Sequence, residues 1–154
     1  MYDVKSAIND FGDDILFIKI GDHFGDSPDG LAYINDDPFA VIEIKCPSNK
    51  KKAANQTLEK TLASDVVNER RHQIIGHFIG NPNIDEVWLI IYNAHIRSNG
   101  IPYNRGRIFV FNRKDFEPSI SLMEAKIEKV YRFILLCVEG KFKPEDINSW
   151  WITE

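Results

Sequence analysis

Phe39-Ala40-Val41-Ile42-Glu43-Ile44-Lys45-Cys46-Pro47 is the stretch on which the fold turns. Apolar residues dominate it as far as Lys45. Pro47 has no amide hydrogen to give a ladder, so a strand is expected over 39–45. Side chains alternate across a strand. Ala40, Ile42 and Ile44 are therefore expected to face a core, with Glu43 and Lys45 side by side on the opposite face. The next position returns to the core side, which predicts a buried structural thiol at Cys46.

Upstream, the runs 15–20 and 31–34 read as strands. His23-Phe24-Gly25-Asp26-Ser27-Pro28-Asp29-Gly30 lies between them and is rich in turn formers, and Asn35-Asp36-Asp37-Pro38 makes a second turn. Three strands so closely spaced point to an antiparallel meander.

Downstream, 49–62 is polar with helix formers and contains Lys50-Lys51-Lys52. Asp65 is placed to cap a helix over 66–79, which Gly80-Asn81-Pro82 ends. Val67, Ile74, Ile75 and Phe78 give that helix an apolar face, while Arg70, Gln73 and His77 share another. The run 86–93 is the most apolar strand and reads as buried on both faces. A loop over 95–104 leads to a strand at 107–112, read as its pairing partner. Ser121-Leu122-Met123-Glu124 reads as a capping box opening a helix to about residue 139. Ile127, Val130, Tyr131, Ile134 and Val138 form its stripe, and Gly140 suits its C-cap. Phe109, Phe111, Tyr131 and Phe133 read as core. The tail 141–154, with Trp150 and Trp151, is expected to dock on the body. The fold class that follows is α/β, a mixed central β-sheet flanked by helices.

At 154 residues one domain is expected over 1–154, and its core needs no disulfide or structural metal. Cys46 and Cys137 sit far apart in unrelated contexts, and 1–14 is polar and acidic rather than a signal peptide. Both thiols are expected reduced, in a cytoplasmic protein. No apolar run has the length to span a bilayer, so no membrane partner is expected. A net charge of −4 argues against a protein that coats nucleic acid non-specifically, yet leaves room for a local basic patch.

Glu43 and Lys45 on one strand face, with Asp29 in the neighbouring hairpin, suit phosphodiester hydrolysis. Asp29 and Glu43 offer hard oxygen ligands to Mg²⁺, with the carbonyl of Ile44 as a third. Lys45 would orient a water and offset developing charge, and would serve as general base only if the site depressed its pKa. The competing reading of a Glu-x-Lys triplet is a surface ion pair of little energy.

The surrounding residues favour chemistry. Ser27-Pro28-Asp29-Gly30-Leu31, followed after a short hairpin by Ile42-Glu43-Ile44-Lys45-Cys46-Pro47, resembles the signature of the phage lambda exonuclease (YqaJ-like) family of the PD-(D/E)xK nuclease superfamily. Gln73, within His72-Gln73-Ile74-Ile75-Gly76-His77, matches that family's helix glutamine. Trp88-Leu89-Ile90-Ile91-Tyr92-Asn93 matches its hydrophobic strand. The resemblance covers about 21–140. It implies a PD-(D/E)xK (restriction-endonuclease-like) core, Asp29 and Glu43 as metal ligands, Lys45 as the catalytic lysine and Gln73 lining the site. It also implies Mg²⁺ with Mn²⁺ as a substitute, and 5′-to-3′ digestion of one strand of duplex DNA. A single-strand annealing partner, homo-oligomeric rings in some members and a viral or prophage origin follow likewise. The family's N-terminal helical region, with its glutamate, has no clear match before Ser27; Asp10, Asp13, Asp14 and Asp22 are the loose candidates.

Ser27, Lys50, Lys51, Lys52, Arg70, His77 and Arg105 are the candidate DNA contacts, weighed against ordinary solvated side chains. His23 reads as a locally bonded loop residue and His72 as a surface one, and no His/Cys spacing matches a zinc site. Two other functions stay open at this point: a DNA endonuclease on the same fold, and a non-catalytic DNA-binding or interaction module derived from it.

Overall fold

The computed structural model describes residues 3–6, 18–20, 24–58, 60–103 and 105–153, with side chains over 26–58, 60–103 and 105–150. These form two compact units, 1–117 and 118–154.

The sheet of the first unit is built on a hairpin of β4 (Gly30–Ile34) and β5 (Asp37–Lys45). Asn35 and Asp36 join the two strands at φ 51° and 67°. That left-handed conformation is what a two-residue hairpin turn needs and what Asn and Asp tolerate. Gly30 pairs with Ile42, Leu31 with Val41 and Ala32 with Ala40, after which the register shifts so that Tyr33 meets Pro38. The irregularity falls where proline cannot donate. β1 (Asp3–Ser6) pairs antiparallel with β4, β6 (Glu86–Asn93) runs parallel to β5, and β7 (Arg105–Asn112) is antiparallel to β6. The order is β1-β4-β5-β6-β7. A parallel pair needs a crossover, which α1 (Lys50–Gln56) and α2 (Ala63–Gly80) supply.

The expected meander does not form. β2 (Ile18–Ile20) pairs with β3 (Phe24–Asp26) in a separate two-stranded sheet. β1 takes the edge of β4, and the turn formers at 27–29 separate β3 from it. Residues 15–17, 23, 10, 13, 14 and 22 lie outside the described residues.

Burial reverses the expected facing of β5. Val41, Val87, Leu89, Ile91, Phe109 and Phe111 are at most 5% exposed, as are Ile74, Ile75 and Phe78 of α2. Glu43 shares that buried face at 4%. Ile44 lies on the other face, 46% exposed, and Cys46 is exposed as well. On that outer face Ala32, Ala40 and Ile42 form a small buried cluster, beside half-buried Phe39, Trp88 and Ile90. Tyr92, Ile108 and Val110 are exposed there. β6 is thus buried on one face rather than two. The apolar Trp88 and Ile90 on its outer face concealed the alternation.

α2 starts at Ala63, with Leu62 in the N-cap position and no side-chain cap. Asp65 sits in the first turn instead, where its charge suits the helix dipole. At the other end Arg113 gathers the loose carbonyls. Its Nη2 donates to Phe78 and Asn81 oxygens, both at 2.6 Å, and its Nε to the Ile84 oxygen at 2.7 Å.

In the second unit α3 (Glu117–Val138) begins before Ser121, since Pro118 is tolerated in a first helical turn. Of its residues, Ile120 and Phe133 are buried; Ile134 and Val138 of the expected stripe are exposed. Gly140, at φ 73°, ends the helix, with amides of Gly140 and Lys141 bonded to the carbonyls of Cys137 and Leu136. This is the Schellman pattern. Within α4 (Ile147–Thr153) Trp150 is buried, its ring 5.3 Å from that of Phe133. The side chain of Trp151 lies outside the described ones. Among the described residues no helix is long and apolar enough to cross a membrane.

Candidate active site

Pro28 is buried and interrupts the chain between β3 and β4, having no amide hydrogen to extend a ladder. Asp29 follows it, one residue ahead of the Gly30–Ile42 pair, which sets it beside Glu43. Its Oδ2 accepts the amide of Ile44 at 2.6 Å. Asp29 is exposed and Glu43 is buried, so the two carboxylates meet at the boundary between core and solvent.

Burying a carboxylate is costly unless it is bonded and paired. Glu43 has partners on both oxygens. Its Oε1 accepts Gln73 Nε2 at 2.5 Å and forms an ion pair with Lys45 Nζ. Its Oε2 stands 3.1 Å from Nε2 of His77. Gln73 and His77 are one turn apart on α2 and so reach the same strand residue.

His77 does not stand at the surface for DNA. It is 3% exposed, and its Nδ1 lies 2.8 and 3.0 Å from the two oxygens of Asp26. Asp26 in turn accepts Asn81 Nδ2 at 2.7 Å, and that amide also donates to the His77 carbonyl. Burial disfavours the charged imidazole, but hydrogen bonds and charge from Asp26 and Glu43 outweigh it and raise its pKa to about 9. Burial likewise pushes the Glu43 carboxyl up, yet His77 and Lys45 together hold it below its ordinary value. The result is a chain of ionisable side chains that runs from buried Asp26, His77 and Glu43 to half-buried Lys45.

Asp26 and Asn81 were missed in the sequence. Asp26 lies among turn formers, where one acid looks like another. The signal available was helical spacing, since Gln73, His77 and Asn81 recur every fourth residue and lead to it.

The other candidates divide. Ser27 is exposed beside Asp29. Lys50, Lys51 and Lys52 open α1 with Asn49 as N-cap. Lys52 pairs with Glu69 at 2.6 Å, and Lys50 lies 5.8 Å from the Tyr103 ring centre. Arg70 is half-buried, with its Nε enclosed and lacking a hydrogen-bond partner. Arg105 is exposed at the start of β7, opposite Asn93. Arg107 donates to the carbonyl of Leu58.

Among the described residues no three His, Cys, Asp or Glu side chains are grouped to hold a metal. The donors at hand are the carboxylates of Asp29 and Glu43. Two hard oxygen donors fit an ion that keeps most of its waters, as Mg²⁺ does, and do not fit a closed zinc site.

No protein-family model matches the sequence, and no curated protein is similar to it. Among solved structures, the chain is similar to an alkaline exonuclease from Laribacter hongkongensis, with a TM-score of 0.51 and 16% identity over 92% of this chain. A structure of that exonuclease in complex with dAMP gives a TM-score of 0.47 and 17% identity, covering 81% of this chain and 60% of that one. In the first match the chain spans 65% of the exonuclease's length. At such identity the likeness is one of architecture: the chain has an α/β fold, a mixed sheet with flanking helices, similar to that of the exonuclease.

Proposed function

We propose that this chain is a metal-dependent deoxyribonuclease, with Asp29, Glu43, Lys45 and Gln73 as its catalytic groups. The observation that carries the reading is the meeting of Asp29, Glu43, Lys45 and Gln73 at the end of one hairpin, on a fold shared with an exonuclease. Asp29, Glu43 and the Ile44 carbonyl would hold Mg²⁺ or Mn²⁺. When bound, the ion supplies Lewis-acid polarisation of the phosphodiester.

The chain's own residues do the rest. Lys45 carries a positive charge to the mouth of the site, where it orients the attacking water and offsets charge gathering on the phosphate. Gln73 fixes Oε1 of Glu43, so that the carboxylate needs no reorganisation during the reaction. Ser27, Lys50, Lys51, Lys52 and Arg105 would contact the DNA backbone, giving affinity without sequence reading. We read the activity as exonucleolytic digestion of duplex ends, with a single-strand annealing protein as partner.

Linear and covalently closed duplex DNA, incubated with Mg²⁺ or with chelator, test this. Linear DNA degraded only with metal, beside an intact circle, is the expected result. A nicked circle replaces exonuclease by endonuclease. Failure to cut either substrate overturns the nuclease reading.

A further inference from the structure

Glu43 needs only one oxygen to serve a metal ion, yet its other oxygen is held with equal care. His77 Nε2 takes Oε2 at 3.1 Å. The other ring nitrogen lies against both oxygens of Asp26. Each nitrogen faces a carboxylate, so the ring is hydrogen-bonded at both ends. A ring held at both nitrogens cannot flip without breaking a bond at each end.

Asp26 is fixed as well. Asn81 binds its Oδ2 at 2.7 Å. Gly80 lets it close on α2: a β-carbon at Gly80 would lie 2.5 Å from Cβ of Asp26. The end of α2, β3 and the C-terminal part of β5 are thereby tied through one imidazole. With Oε2 committed to His77, the plane of the Glu43 carboxylate is set, and Oε1 is the oxygen turned towards Lys45 and Gln73.

We propose that His77, backed by Asp26, is a positioning residue that presents Oε1 of Glu43 to a divalent cation and sets the cation affinity of the site; this rests on the reading of Glu43 as a metal ligand. Groups that orient a ligand without touching the metal commonly change its affinity by about 10–100-fold. A purely structural histidine would instead move the melting temperature and leave the cation affinity of the folded protein where it was.

Mn²⁺ binding by titration calorimetry, beside DNA cleavage against Mg²⁺ concentration, separates these roles. His77→Leu keeps the bulk and removes both ring nitrogens; it is expected to weaken Mn²⁺ binding by about 10–100-fold. His77→Gln restores an amide donor towards Glu43 and is expected to recover most of that loss. A folded His77→Leu that binds Mn²⁺ like the wild type overturns the proposal. If His77→Leu does not fold, the isosteric Asp26→Asn takes its place, with weaker Mn²⁺ binding expected and unchanged binding overturning the proposal. A wild type that binds no Mn²⁺ overturns it too. If the wild type binds Mn²⁺ and the variants loosen it, but no DNA is cut, the nuclease reading fails and the role of His77 stands.

Discussion

Gly80 ends α2 against Asp26 with no space for a methyl group: a β-carbon there would stand 2.5 Å from Cβ and 3.0 Å from Cγ of the aspartate. Two effects oppose each other in Gly80→Ala. Helix propensity favours alanine by about 1 kcal/mol. Overpacking a tight contact costs about 1–3 kcal/mol, and here the atoms in the way belong to a short, doubly bonded side chain. Gly80→Ala is therefore expected to lower stability in urea denaturation. Unchanged or raised stability would mean that Asp26 yields easily and does not fix His77.

The buried His77 sets a pH dependence of the metal-free protein. Its pKa rises on folding from 6.5 to about 9, so the native state binds this proton more tightly than the unfolded chain. Its contribution is complete below about pH 6.5 and is lost as pH rises through about 9. The ceiling is about 3 kcal/mol. Glu43, held below its usual value of 4.5, has the opposite sign: its contribution is present above that value and lost as pH falls. Denaturant stability measured across the alkaline range should decline in the wild type and less steeply in His77→Gln. Equal slopes would contradict the pairing.

Arg113 is expected to matter for stability rather than chemistry. It donates to three carbonyls at the end of α2 and its neighbouring turn, and charged donors contribute about 1.5–3 kcal/mol each to such bonds. Arg113→Ala should lower stability by at least about 2 kcal/mol, and Arg113→Lys should recover only part, since ammonium cannot reproduce the planar fork. Thermal and urea denaturation measure it. An Arg113→Ala variant as stable as the wild type would show that water serves those carbonyls as well.

The hairpin, the crossover helices and the order of elements were legible because alternation, turn residues and helix formers agree along 30–93. Asp29, Glu43, Lys45 and Gln73 were legible through their motif, and they do converge. The phase of β5 was not, because a strand with apolar residues on both faces gives no sign of which face the helices cover. The expected sides of Ile44, Glu43 and Cys46 failed together for that one reason. His77 reads in the sequence as a DNA contact because a polar residue on a helix is normally exposed; partners 51 and 34 positions away, Asp26 and Glu43, allow it to be buried. Contacts across such a distance leave no local pattern to read.

Single-turnover cleavage of linear duplex DNA by the wild type and by Lys45→Ala, with Mg²⁺ and with chelator, bears most directly on the nuclease reading. The wild type should cut only with the metal. Lys45→Ala should fold normally and cut about 10²–10³-fold more slowly, the usual cost of removing a group that stabilises developing charge. Cleavage that survives chelation, or a Lys45→Ala variant as fast as the wild type, would contradict the assignment of this site.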